Sequence, residues 1–325
     1  IMRLKTLTLL LLINVLPFFS GVSQVKKLSK NAKISLLTCG PGEAVWSKFG
    51  HSALWVFDSN VGIDKVYNYG TFEFYSNDFY YQFIKGTANY RLSITDYLNF
   101  YNEYKNENRS ILMQELNITD LEKQTLFEIL EDNYKPENRY YRYDFLFQNC
   151  SSIIRDVVWQ ATDNRFTIPE ESETRYTYRS MMIPYLNPSP WLKSGEFILL
   201  GYKTDRDANP WDQMYLPDFM FSWFENARDE NGQSLVSDTQ TLYLPDSDPE
   251  KASPFTHPNV ILPIILILII FLTIREINKQ KHYRILDNIL FFIVGLLGIL
   301  MIYTWTSSLH IVLHQNMNLV WAFPL

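Results

Sequence analysis

The chain has 325 residues, 47% of them hydrophobic and 16% aromatic, with a net charge of −6. No long basic run occurs in the part that reads as soluble, which argues against nucleic acid as a partner, since phosphate binding needs clustered Lys and Arg. Two cysteines, Cys39 and Cys150, are too few for a disulfide framework or a Cys-based zinc site, and the five histidines are dispersed. His310 and His314 stand at i, i+4 but lack an HExxH context, so no metal and no cofactor is expected.

Met2 to Ser23 reads as an export signal. Arg3 and Lys5 form a charged start, Leu7 to Leu16 an apolar core interrupted by Thr8 and Asn14, and Gly21-Val22-Ser23 a set of small residues at the cleavage positions. An uncleaved anchor over residues 1–23 is the alternative. Residues 24–244 read as one soluble domain. Ile34 to Leu37 predicts a strand and Pro41-Gly42 a turn. His51 to Phe57, apolar on both faces after His51 and Ser52, predicts a central strand with Val66 to Tyr69 as its neighbour. Thr95 to Asn106 predicts a helix and Ile111 to Leu116 a strand. The capping box Thr119-Asp120-Leu121-Glu122 opens a helix to about Tyr134. The spacing of Ile153, Ile154, Val157, Val158 and Ala161 predicts another helix, with Asn149 as N-cap and Cys150 in its first turn. Phe197 to Tyr202 predicts a strand. Asp218 to Arg228 predicts a helix whose Phe219, Phe221, Trp223 and Phe224 form either a core face or a surface resting on a membrane.

Residues 245–258, rich in Pro, Asp and Ser, read as a linker, and 259–325 as a membrane region. Val260 to Ile274 and Ile289 to Trp305 predict two spans. Arg275, Lys279, Lys281 and Arg284 lie between them and place that loop in the cytoplasm. The soluble domain then lies outside the cytoplasm, as the export signal independently predicts. The apolar run from Leu319 to Leu325 is the start of a third span or the end of a fragment.

Unpaired N–H groups at a helix start lower a thiol pKa, which makes Cys150 a candidate nucleophile; a small buried core cysteine is the competing reading. The base for such a thiol is His51, the one soluble-domain histidine apart from the linker's His257. A strand His facing a helix-start Cys is a papain-like arrangement in which a thiolate–imidazolium pair forms, here with His before Cys. Asn68 is the candidate to orient the imidazole, with Tyr69 and Asp58 as alternatives. Backbone N–H groups at the helix start would supply an oxyanion hole. Cys39 is a rival thiol, and a Cys39–Cys150 disulfide is conceivable in an oxidising compartment. Phe79, Tyr80, Phe83 and Tyr90 are candidates for an acyl-chain groove or for ordinary core.

Four segments, LLTCGPG (Leu36 to Gly42), Phe49-Gly50-His51-Ser52, YNYGTF (Tyr67 to Phe72) and Tyr143 through Cys150, resemble in order and spacing the Lnb family of lipoprotein N-acyltransferases typified in Bacteroides. Thr174-Arg175, Leu200-Gly201-Tyr202 with Asp205, Met214 to Asp218, and His314, Asn316, Asn318, Leu319, Trp321 and Pro324 extend the resemblance from about Ile34 to the end. Gly40 departs from it, standing where a Ser-like residue is expected. The resemblance implies an α+β fold, a circularly permuted papain-like (NlpC/P60-like) extracytoplasmic domain followed by transmembrane helices. It implies Cys150 and His51 as catalytic pair, and Tyr143, Asn149, Arg175 and His314 are the substrate-binding candidates beside them. The implied reaction moves an acyl chain from a membrane lipid or lipoprotein ester, through a Cys150 thioester, to the N-terminal amine of a diacylated lipoprotein at the inner membrane, facing the periplasm. Two other readings stay open: a membrane-anchored cell-wall peptidase or amidase using the same pair, and a non-catalytic scaffold in which Cys150 is core.

Overall fold

The computed structural model describes residues 25–72, 79–169, 175–246, 253–280 and 284–322. The expected export segment, Thr174, Lys281 and Pro324 lie outside the described residues. Seven strands form one antiparallel sheet: β1 (Lys33–Cys39), β2 (His51–Asp58), β3 (Ile63–Phe72), β4 (Asn89–Thr95), β5 (Ile111–Leu116), β6 (Tyr140–Arg142) and β7 (Val236–Tyr243). Their spatial order is β6-β4-β3-β2-β1-β5-β7, so the strand that opens on His51 is the middle one. Its side chains alternate between two cores. Leu54 and Val56 join Ile34, Leu36 and Tyr67 on one face, and Ala53 joins Leu37, Cys39 and Val66 on the other. A strand buried on both faces reads as a near-continuous apolar run, which is why HSALWVF was legible.

Helices cover both faces. After α1 (Phe79–Lys85), helix α2 (Tyr97–Asn106) lays Phe100 and Tyr104 against the Ala53 face. Helices α3 (Asp120–Tyr134) and α4 (Cys150–Ala161) lay Leu126, Phe127, Leu130, Ile154 and Val158 against the Leu54 face. The Thr119 box forms as expected: Thr119 Oγ1 accepts from the Glu122 N–H at 3.3 Å, and Glu122 accepts from the Thr119 N–H at 2.7 Å. Helices α5 (Tyr178–Leu186), α6 (Pro190–Leu199) and α7 (Pro217–Asn226) follow.

The expected strand at Phe197 to Tyr202 is not formed. Phe197 to Leu199 is the last turn of α6, and Tyr202–Asp205 is a 3₁₀ turn. A four-residue apolar run cannot by itself distinguish strand from helix end. Pro190, at the first helical position, starts the helix upstream and carries the run with it. On α7, Phe224 is fully buried in the main core, Trp223 and Phe219 pack half-buried against the two core clusters, and Phe221 is half-buried, so most of that aromatic face is core.

Helices α8 (Pro258–Lys279) and α9 (Arg284–Ser307) have 22 and 24 residues and mean hydropathies of 2.7 and 2.5, and their apolar side chains are largely bare. At 1.5 Å per residue they reach roughly 33 and 36 Å, enough for a bilayer core. Both far ends of this hairpin return to the domain. Before α8, the Thr256 carbonyl accepts from Trp191 Nε1 at 2.7 Å. After α9, Ser308 Oγ donates to the Ile84 carbonyl at 2.7 Å, and the Leu309 N–H donates to the Lys85 carbonyl at 2.8 Å. The domain therefore sits on the side of the membrane opposite the basic loop, as the charge pattern predicts.

Ile154 ties α4 to the sheet and is fully buried. Ile154→Ala is expected to lower stability by about 2–4 kcal/mol through lost burial and a residual cavity, read as a reduced unfolding midpoint of the full chain in detergent.

Candidate active site

Helix α4 begins where Asn149 caps it. Asn149 Oδ1 accepts from the N–H groups of Ser151 and Ser152, both at 2.9 Å, and its own N–H donates to Ser152 Oγ at 2.9 Å. Its Nδ2 donates to the carbonyls of Phe145 and Tyr215, both at 2.8 Å. Cys150 is thereby the first helical residue, at the end of the sheet where β2 begins. Two contacts hold helix start and strand together. Ser52 Oγ hydrogen-bonds with Ser151 Oγ at 3.0 Å, and the Ser52 backbone N–H bears on Cys150 Sγ.

His51, the first residue of β2, stands across from Cys39 in the β1 register. Its Nε2 lies 3.3 Å from Asn68 Oδ1. The Asn68 amide is oriented by its Nδ2, which donates to the Val66 carbonyl at 3.4 Å. A carbonyl oxygen only accepts, so the Nε2 carries the hydrogen and Nδ1 keeps the lone pair. The imidazole stacks at 6.0 Å and 10° on Tyr104, and the Arg109 guanidinium lies 4.5 Å from the same Tyr104 ring. Cys150 and His51 make no direct hydrogen bond with each other; Ser52 and Ser151, their chain neighbours, make the link.

Dehydration governs the charges here. Burial pushes the Cys150 thiol up from its ordinary value, against the opposing pull of the Ser52 N–H, the Ser151 hydroxyl and the N–H groups at the helix start. Burial, then the Arg109 charge, push His51 down to about 4, against the Asn68 hydrogen bond. The resting couple is a neutral thiol and a neutral imidazole. Both shifts run against the expected thiolate–imidazolium pair, because dehydration of these half-buried groups opposes the helix-start N–H groups and the Asn68 hydrogen bond. Such a neutral couple can act as nucleophile and base when the S–H proton passes to the imidazole during attack, not before it.

Cys39 is buried, with its thiol pushed up by burial, and both cysteines are free, so the conceivable Cys39–Cys150 disulfide is not formed. Of the alternative orienting groups, Tyr69 accepts from Asn133 at 2.8 Å within the core. Asp58 sits at the far end of β2, bound to Ser29. Tyr143 stacks on Tyr90 at 4.4 Å. Tyr90 is buried, whereas Phe83 is 45% exposed. Asn149 is 3% exposed with its whole amide committed to protein groups, which suits a positioning role. Two of the three helix-start N–H groups are likewise taken by Asn149, leaving that of Cys150 itself for an oxyanion. Arg175 is exposed. His314 Nε2 contacts the Ser308 carbonyl at 2.8 Å, and its own carbonyl packs against Gly201, where a side chain would clash. Ser52, Ser151, Tyr104 and Arg109 were not singled out from the sequence. Ser52 and Ser151 directly follow the two candidate residues His51 and Cys150, and strand alternation alone turns Ser52 toward α4. Among the described residues no group of three or more His, Cys, Asp or Glu is placed to hold a metal ion.

Fold and site together define a membrane protein with a mixed α/β domain, outside the cytoplasm, that presents a Cys, His and Asn set at one end of its sheet. The chain belongs to the Lnb family: residues 25–183 match the Lnb N-terminal periplasmic domain and residues 250–325 the Lnb transmembrane domain. No curated protein and no solved structure matches it.

Because dehydration and the Arg109 charge hold the half-buried His51 at a pKa of about 4 against 6.5 for the free side chain, the unfolded chain binds its proton first as pH falls. Stability is then expected to drop by roughly 3 kcal/mol between pH 6.5 and 4 and to change no further on this account below 4. His51→Asn should flatten that part of the pH profile of the melting temperature. Asn149→Ala should cost about 2–4 kcal/mol, since it removes a cap and leaves two carbonyls unpaired; Asn149→Asp keeps the cap acceptor but turns a second oxygen toward the same two carbonyls, so it should cost at least as much in the same melt.

Proposed function

We propose that this protein is a lipoprotein N-acyltransferase of the thiol type, built on a circularly permuted papain-like domain. The observation that carries the reading is a free thiol at a capped helix start, linked through Ser52 and Ser151 to an imidazole whose Nε2 is held by Asn68. In the first step Cys150 Sγ attacks the carbonyl of a lipid acyl ester while the S–H proton passes to His51 Nδ1. The S–C bond forms, the carbonyl π pair moves to oxygen, and on collapse the C–O bond breaks, with His51 returning the proton to the departing alkoxide. The products are a Cys150 thioester and a lysolipid alcohol. In the second step the α-amine of a diacylated lipoprotein attacks the thioester. An N–C bond forms, Cys150 leaves as thiolate, and the proton lost by nitrogen returns through His51 to sulfur. An α-amine with pKa near 8 is largely protonated at neutral pH, so a neutral imidazole is the useful form of His51 at this step.

Two features favour a lipid substrate over a cell-wall peptide, which the same pair would also cleave. The hairpin of α8 and α9 anchors the domain at the bilayer surface. Exposed aromatic and apolar side chains cluster where the hairpin's outer ends join it: Tyr81, Phe83 and Ile84 on α1, and Trp191 and Phe255 beside the start of α8. Aromatic side chains of this kind sit at headgroup depth.

Cys150→Ala is expected to abolish N-acylation of lipoproteins while the protein accumulates normally, as read by mass spectrometry of lipoprotein N-terminal peptides. With labelled phospholipid, the wild type should yield a thioester that a diacylated lipopeptide chases off. Unchanged N-acylation in the Cys150→Ala strain would remove the enzyme reading, and wall-peptide cleavage without thioester trapping would favour the peptidase.

A further inference from the structure

The pairing of β3 with β4 slips between Asn68 and Thr71, and Gly70 lies in that bulge at φ +93°. This left-handed geometry suits glycine and is the common device for re-aiming a strand beside a site. Its second effect is to open a notch in the sheet surface. A methyl built on Gly70 would lie 3.8 Å from Cys150 Cβ, 4.0 Å from Tyr141 Oη and 4.0 Å from Tyr143 Cε2. The nucleophile, a phenol hydroxyl and an aromatic wall thus converge on one spot with room for about one methyl or one carbonyl oxygen.

Tyr141, on the edge strand β6, stands across from Tyr90. Its oxygen is buried, and its hydroxyl hydrogen finds no acceptor among the described residues. A buried donor without an acceptor costs free energy, about 1–3 kcal/mol, and native proteins keep few of them without a use. Burial and the neighbouring Cys150 hold the phenol well above its usual range, so it remains an O–H donor at any working pH. The Gly70 N–H bears on the phenol oxygen, which leaves the hydrogen directed elsewhere.

We propose that the Gly70 notch is the acyl-carbonyl site, in which Tyr141 O–H donates a hydrogen bond to the ester carbonyl oxygen as Cys150 attacks. This rests on the acyl-transfer reading and deepens it by naming where the reacting carbonyl sits. As the S–C bond forms, the π pair moves onto the oxygen held between Tyr141 O–H and the Cys150 N–H. The oxygen is never protonated; it gains two donors, and the pair returns to re-form C=O when the leaving alkoxide takes the proton from His51. Tyr143, stacked on Tyr90, walls the notch on the acyl side. The thioester carbonyl of the second step occupies the same place.

The test uses the full chain in nanodiscs, wild type against Tyr141→Phe, which keeps the ring and removes only the hydroxyl. Thioester formation is followed as the p-nitrophenolate burst from p-nitrophenyl butyrate, and Cys150 reactivity as its alkylation rate by iodoacetamide, with Cys150→Ala as background. Alkylation is a displacement with no tetrahedral oxyanion. The expected result is a burst rate lower by on the order of 10²-fold at similar KM, with alkylation within about twofold of wild type. A burst at the wild-type rate overturns the proposal. So does an equal fall in burst and alkylation, which would make Tyr141 merely structural. A wild type that shows no burst but alkylates at Cys150 removes the acyl-transfer reading itself, and this site with it.

Discussion

The side-chain amide of Asn149 is the constraint on which the rest of the site depends. One small group joins three segments: the loop before α4, the first turn of α4, and the turn at Tyr215 that leads into α7. Each bond satisfies a backbone group that would otherwise be buried and unpaired. Because the Asn149 oxygen takes two first-turn N–H groups, Cys150 is fixed as the first residue of the helix with its sulfur over the sheet end. Because the nitrogen takes two carbonyls, the loop that runs from β6 through Tyr143 and Phe145 is tied to that helix. The serine pair Ser52–Ser151 then ties the assembly to the strand of His51.

Depth sets the chemistry. A thiolate–imidazolium pair needs water or a dense set of donors to hold its charges, and this site offers burial instead. Cys150 and His51 are half-buried, so under the proposed acyl transfer the seated acyl chain would have to complete the exclusion of water for an amine to win the second step. A neutral thiol is slow to oxidise, a useful property in a periplasm where disulfide formation is favoured. The drawback is that charge must be created during attack, so stabilisation has to come from donors already aimed at the carbonyl oxygen rather than from a preformed thiolate. One helix-start N–H is left for this once Asn149 has taken the other two, which is why a second donor beside Cys150 matters.

Features with local causes were legible in the sequence. The Thr119 box, the Asn149 cap and the double-faced burial of HSALWVF depend on residues within a few positions, and each forms where expected. Asn68 was legible because β2 and β3 are consecutive antiparallel strands, which places the end of one beside the start of the other. The strand expected at Phe197 failed because its apolar run is too short to show a period, and the deciding proline lies seven residues upstream. Tyr104 and Arg109 arrive from α2 and the turn after it, across the sheet face, and no spacing announces them. The direction of the Cys150 and His51 shifts was not legible for a related reason. The helix-start contribution is visible in sequence, whereas dehydration is a property of everything packed around the thiol.

The residues after α9 show how the membrane part fixes the orientation of the periplasmic domain. His310, His314, Asn316 and Asn318 follow the second span, and their described hydrogen bonds run to protein groups. Asn316 Nδ2 donates to the carbonyls of Ile198 and Leu199 at 2.8 and 3.0 Å, and Asn318 Nδ2 to that of Ile198 at 3.0 Å, capping the end of α6. His310 Nε2 meets the Phe83 carbonyl at 2.7 Å at the end of α1. Helix C-termini need such donors, and here the donors come from the chain leaving the bilayer. The domain is therefore clasped at two helix ends and at Thr256, and three attachments leave little freedom to tilt. The hairpin thus sets the height and tilt of the domain over the bilayer; under the proposed reaction with a lipid ester, a lipid diffusing in the plane would meet it in one orientation, and part of the entropic cost of bringing ester to thiol would be met by the fold.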